Sequence, residues 1–379
     1  MPRIAINLGG GFVPGVNAVI TGAVLAADEL GWDVVGIHDG FEGLLFRDRY
    51  AEGGLIPLSS GFMTYVIGAS GPVIGTAVKV DPFRVRTVTA ENQVEEVDRS
   101  DELIGLIGKN NIDAVISAVG TRALGGIFRL HRKGLRVVVV PESVENDIAV
   151  TQLSFGFNSA LSWAADMLEQ IREAARSARR IAIVEVLGEH SGWLALQAGI
   201  TACADAILIP EIPYDLEKVA TKLRAKPGGR IAHGLVVVAE GAQSSKPQLA
   251  SSTVNPLKAS LSPLATGYDS ERVIERSGLV AKSVARELQR LVDHDTYPIA
   301  FGQLIKGGHP TAVDRQLGLA YGAAAVRALH EHHSGVMTAF EPPELKFVPL
   351  SEAINKIRTI PANSLFLQTA RSLGICLGD

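Results

Sequence analysis

The stretch "VVVVPESVENDIAVTQLSFGFNSAL" gathers the residues best suited to chemistry. Val137 to Val140 read as a buried strand, and straight after it come Glu142, Glu145 and Asp147, with the hydroxyl of Ser143 among them. The carboxyl end of a buried parallel strand is where open α/β sheets bind ligands. Carboxylates there can act as general bases or hold a hard cation. Grouped this closely, they repel one another and raise their own pKa values unless something positive joins them.

The surrounding chain alternates strand and helix patterns. "RIAINL" closes on Gly9, Gly10 and Gly11, and "NAVITGAVLAADELG" then carries helical periodicity up to Gly31. "DAVISAV" runs into "GTRALGG", "RIAIVEVL" into "GEHSGWLALQAGITACA", and "HGLVVVAEG" into a polar stretch that reads as a long surface excursion. This order predicts an α/β protein of two lobes with mostly parallel, doubly wound sheets. The turns at Gly9–Gly11 and at Gly120, Thr121 and Arg122 are two places where a helix N-terminus and close backbone approach would suit a phosphate. Taken singly, each is equally well read as a tight turn or a capped helix start.

Composition narrows the function classes. The chain has 379 residues, 47% hydrophobic and 20% charged, with a formal net charge of -4 and no Lys/Arg run, which argues against nucleic acid and acidic membranes as partners. No apolar run approaches a bilayer span, and the N-terminus enters a strand directly, so a cytoplasmic protein is expected. Cys203 and Cys376 read as core thiols. His330, His332 and His333 read as surface residues in the last turn of a helix rather than as a metal cluster. Trp32, Trp163 and Trp193 read as packing residues.

The order of "GGGFVPGVNAVITGAV", "GIHDGFEGL", "GTAVKVDPF", "PESVENDIAVTQLSFGFNSAL", "RIAIVEVLGEHSGWLALQAGI", "VVVAEG" and "GQLIKGGHPTAVDRQLG" resembles the bacterial-type phosphofructokinases, ATP-dependent and pyrophosphate-dependent. The resemblance implies a donor-binding lobe over 1–150, an acceptor-binding lobe over 151–320, and a segment 321–379 packing back on the first. It implies a homodimer or homotetramer, since relatives complete the acceptor site with a neighbouring subunit's residues. It assigns Gly9, Gly10, Gly11, Thr76, Gly120, Thr121 and Arg122 to the donor, with Lys79 or Val78 as a further candidate. Arg180, Leu187, Glu189, Glu240, Tyr297, Gln303 and Lys306 fall to the acceptor. Glu145 becomes the base, with Ser143 and Asp147 beside it and Asp147 the remaining candidate for metal.

Departures from the family pattern fall in the site. Val119 replaces the magnesium-holding Asp, and an isopropyl group ligates no cation. Glu145 replaces the family's Asp base. Glu189 stands where relatives place an arginine on the transferring phosphoryl group, converting attraction into repulsion. Gln303 and Lys306 replace His and Arg, and Tyr297 replaces a cross-subunit arginine. Gly120 follows the ATP-using pattern, which favours ATP over pyrophosphate, while Glu142 fits neither donor class. Three readings follow. The first is phosphoryl transfer from ATP to a hydroxyl of a sugar-like molecule other than fructose 6-phosphate, with magnesium left open. The second is a catalytically degenerate homologue with a regulatory or structural role, and the third a slow 6-phosphofructokinase.

Overall fold

Strands that are apolar along their whole length need helices on both faces, and the large sheet is built from such runs. β1 (Arg3–Leu8), β6 (Ala114–Val119) and β7 (Val137–Ser143) lie side by side and parallel at its centre, buried almost throughout. β2 (Asp33–Ile37), β3 (Leu55–Pro57), β13 (Val336–Glu341) and β14 (Glu344–Pro349) complete the order β14-β13-β7-β6-β1-β2-β3, with β8 (Phe155–Gly156) pairing with β7. The outermost pairs, β2–β3 and β13–β14, are antiparallel. A separate hairpin is made by β4 (Val85–Val88) and β5 (Val94–Val97). The structure, a computed structural model, describes residues 1–50, 52–76, 81–88, 94–225, 233–246 and 277–379. Lys79, Val78 and most of the polar excursion after Gly241 lie outside them.

The second sheet has the order β10-β11-β9-β12 and is parallel throughout, from β9 (Ile181–Val186), β10 (Ala206–Leu208), β11 (Gly234–Ala239) and β12 (Thr296–Ala300). Glu185 is buried within β9, and its carboxylate accepts from the amides of Gly278 (2.6 Å) and Ala281 (2.9 Å) at the start of the Leu279–Val292 helix. These bonds satisfy a group that would otherwise be costly to bury.

Small residues set the tightest packing. The helices Val16–Glu29 and Ala312–His330 lie against each other with Gly22 facing the backbone of Leu319 and Gly322 that of Val19, where a Cβ would overlap a main-chain carbonyl. The C-terminal region touches both sheets, adding β13 and β14 to the first and pairing Cys376 with Ala206 of the second. Trp193 is buried, and Trp163 packs edge-on against Phe301. Cys203 departs from expectation: it is exposed, just past the Trp193–Thr201 helix with φ 48°. A residue that ends a helix in the left-handed region is carried outward with the turning chain. His330, His332 and His333 are exposed.

Candidate active site

The two glycine turns meet. β1 and β6 are paired up to Leu8 and Ala118, so the turns that follow leave the sheet together, and the amide of Gly9 donates to the carbonyl of Ala118 at 3.1 Å. A methyl group on Gly10 would lie 3.0 Å from the amide nitrogen of Gly120 and 3.1 Å from Oε1 of Glu142, so only glycine keeps this gap open. The hydroxyl of Thr76 donates to the carbonyls of Leu8 (3.4 Å) and Gly11 (3.3 Å), bracing the first turn. Gly120 caps the Thr121–Arg132 helix, whose free first amides give the junction its positive end.

The acidic loop is locked from within. Ser143 Oγ donates to Asp147 Oδ1 at 2.6 Å and accepts from the amide of Glu145 at 3.1 Å. Thr121 Oγ1 donates to Asp147 Oδ2 at 3.0 Å, tying the loop to the second glycine turn. Two residues that sequence reasoning missed hold the loop's far side. Asn146 is buried with φ 54°, and its Oδ1 accepts from the amide of Ser154. Arg358 donates from its amide to Asp147 O (2.8 Å) and from its guanidinium to Asn146 O (3.3 Å), with that guanidinium 4.1 Å above the Trp193 ring. Asn is the common non-glycine residue in the left-handed region, a signal available in "VEND". Arg358 had no local signal, since the two carbonyls it holds lie over 200 residues earlier.

The facing wall comes from the second sheet. β9 and β11 end together, so Leu187, Glu189 and Glu240 emerge side by side. Leu187 packs in the hydrophobic core at the end of β9. The amide of Gly188 donates to Glu240 (3.5 Å) and that of Glu189 donates to Glu145 Oε2 (3.4 Å). Glu189 forms a short ion pair with Arg122, so its charge is balanced rather than turned bare on a phosphate as the sequence suggested. Gln303 and Lys306 lie on the 3-10 segment Gly302–Lys306 beyond the carboxyl end of β12, Gln303 exposed and Lys306 half-buried. Arg180 and Tyr297 sit at the opposite, amino end of that sheet, where Tyr297 pairs with Ala182 and its hydroxyl donates to Ile171 O at 3.4 Å. The two are therefore not brought to Glu145 within one chain.

Burial and charge divide the carboxylates into two groups. Glu145 is pushed up to about 8, first by desolvation and then by Asp147 and Glu240, against the pull of Lys306 and Arg122. Desolvation raises Glu240 to about 7, opposed by its bond from Gly188. Glu142 stands apart from this cluster. Its neighbours are Gly10 and Gly120, burial raises it to about 8, and Lys306 supplies the opposing charge. The expected convergence of Glu142 with the other carboxylates is thus replaced by one cluster and one solitary acid.

The family's magnesium seat does not fit these residues. Val119 is fully buried, and both oxygens of Asp147 already accept from hydroxyls. Among the described residues no three His, Cys, Asp or Glu are grouped as a metal would require.

The family model for phosphofructokinase matches residues 3–329. The chain belongs to the phosphofructokinase family. Similar relatives include an ATP-dependent 6-phosphofructokinase of Chloroflexus aggregans, 35% identical over 100% of this chain and 98% of its own length. ATP-dependent 6-phosphofructokinase 3 of Streptomyces coelicolor is 33% identical over 95% and 96%. Among solved phosphofructokinases, the pyrophosphate-dependent enzyme of Marinobacter aquaeolei superposes with TM-score 0.72 at 18% identity, over 100% of this chain and 93% of that one. The phosphofructokinase of Saccharomyces cerevisiae superposes with TM-score 0.73 at 24% identity over 99% of this chain, which spans 47% of the yeast chain. These two establish the shared fold. No helix among the described residues is long and apolar enough to cross a membrane.

Proposed function

We propose that the chain is a slow ATP-dependent 6-phosphofructokinase, moving the terminal phosphoryl group of ATP to a hydroxyl of fructose 6-phosphate. One observation carries the reading: the loop of Glu145 is tied to the second glycine turn by the Thr121–Asp147 bond, while the amide of Glu189 on the facing wall donates to the Glu145 carboxylate. A hydroxyl beside Glu145 would face a phosphate lying along Gly9–Gly11 and Gly120–Arg122. Glu145 then takes the hydroxyl proton as the oxygen attacks phosphorus, and ADP leaves. Relatives aligned over their whole length carry the ATP-dependent 6-phosphofructokinase name, which supports this donor and acceptor. An unbalanced Glu189 was one reason to expect an acceptor other than fructose 6-phosphate, and Arg122 balances it.

Slowness has two physical sources. At neutral pH Glu145 is held largely protonated, and Arg122, in the first turn of the helix that Gly120 starts, is engaged by Glu189. Glu240, Gln303 and Lys306 would hold the sugar phosphate. Arg180 and Tyr297, at the far end of the second sheet, would serve a neighbouring subunit's site in a homo-oligomer, and the 1–150, 151–320 and 321–379 division and a cytoplasmic location go with this reading. The Arg122–Glu189 bridge also favours a second reading, a degenerate homologue whose cleft is tied shut. Release of ADP from ATP that depends on fructose 6-phosphate, and not on fructose or pyrophosphate, is the expected result. ATP bound but never consumed with any sugar phosphate would select the degenerate reading.

A further inference from the structure

Glu142 is the buried acid, among the described residues, with both carboxyl oxygens unpartnered. It is 2% exposed, and it pairs with Phe155 of β8 in the strand ladder. Its Oε1 and the amide nitrogen of Gly120 lie within 3.1 Å of one point above Gly10, so the acid points into the junction of the two glycine turns. This is the N-terminal end of a twelve-residue helix without a side-chain cap, where amides and dipole favour a phosphate oxygen. A buried carboxyl without partners is costly in either form, and far more so when charged.

We propose that Glu142 serves as a neutral carboxylic acid that donates a hydrogen bond to a phosphate oxygen of the nucleotide, so that the donor binds the protonated site and is expelled when Glu142 ionises. The idea rests on the donor placement above. The elements packed against Glu142 present few other charges. The β1 turn offers Gly10, the β6 turn Gly120 followed by Thr121 and Arg122, and β8 Phe155; Lys306 is the charged group that acts on it. Burial holds the carboxyl protonated up to about pH 8. A phosphate would therefore meet an O–H donor at neutral pH and a buried anion at higher pH. Glu142 is thus a specificity-determining residue: it makes donor affinity depend on a proton carried by the protein.

The test is calorimetric binding of ADP and of a non-hydrolysable ATP analogue between pH 6.5 and 9, each in two buffers of different ionisation enthalpy, with wild type and Glu142→Gln. A site that binds only when protonated loses about tenfold in affinity between pH 7 and pH 9 and takes up a proton on binding at the upper end. The Gln variant, which keeps a hydrogen-bond donor of the same length, should bind with that pH dependence removed and that proton uptake lost. Should it fail to fold, Glu142→Met replaces it and should bind weakly at every pH. Equal pH dependence and proton uptake in wild type and variant would overturn the assignment and leave the donor site standing. So would affinity that requires magnesium and involves no proton. Absence of nucleotide binding at any pH would overturn the donor site itself, and this assignment with it.

Discussion

Arg122, at the start of the helix after the second glycine turn, is ion-paired to Glu189, on the loop after β9, so the two sheets are joined across the cleft by opposite charges. The pair is partly in water, Arg122 being 59% and Glu189 23% exposed, and a half-exposed bridge adds little to stability. Its effect falls on ligand binding, because the guanidinium held by Glu189 is the one a phosphate would use. Glu189→Gln should therefore change unfolding free energy by less than about 1 kcal/mol while tightening nucleotide binding several-fold. Chemical denaturation and calorimetry on the same preparation would check both; weaker binding in the variant would show that Glu189 aids the donor.

Glu145 carries the proposed proton transfer. Removing a general base costs roughly 10²–10⁴ in rate, so Glu145→Gln should lose at least a hundredfold in kcat with circular dichroism unchanged. A loss matched by unfolding would make its role structural.

The same residue sets a pH profile. Its carboxyl is raised to about 8 by burial and by Asp147 and Glu240, and the base must be ionised to act. At saturating substrates kcat should rise with pH through that value and level off above it. Glu145→Gln should flatten the profile. A kcat that falls from pH 6 to 8 would contradict the assignment.

Stability should run the other way. A carboxyl raised from 4.5 to about 8 keeps a proton in the native chain that the unfolded chain has released, so stability falls as pH rises through this window, by about 1.4 kcal/mol per pH unit for each such group. Glu142→Gln removes one such group. The variant should match wild type near pH 5 and exceed it at pH 8 in urea denaturation; an equal slope in both proteins would show that Glu142 is already ionised.

Much of this was legible in the sequence because its signals are local. Unbroken apolar runs such as "VVVV" and "AVISAV" became fully buried strands, and glycines at their ends became turns that touch because β1 and β6 are neighbours. What was not legible depended on partners distant in the chain. Glu189 looked unbalanced because Arg122 lies 67 residues away, and nothing near Leu187 in the sequence marks its packing in the core. Arg358, clamped on the acidic loop from 212 residues downstream of Asn146, gave no sign at all.

That clamp makes a fourth residue testable. Arg358→Ala removes the guanidinium bond to Asn146 O and the packing on Trp193 while keeping the amide bond to Asp147 O, and should cost about 1–3 kcal/mol. As a positioning residue it should lower kcat more than it raises KM, because the loop that carries Glu145 loses its anchor. An unchanged kcat in a destabilised protein would limit Arg358 to a structural part.

The most direct test is single-turnover transfer of radiolabelled terminal phosphate from ATP to fructose 6-phosphate at pH 8, comparing wild type with Glu145→Gln at enzyme in excess over ATP. The account predicts labelled sugar bisphosphate from wild type and at least a hundredfold slower labelling by the variant, with nucleotide bound by both. Equal labelling by the two proteins, or bound nucleotide that never labels the sugar, would contradict it.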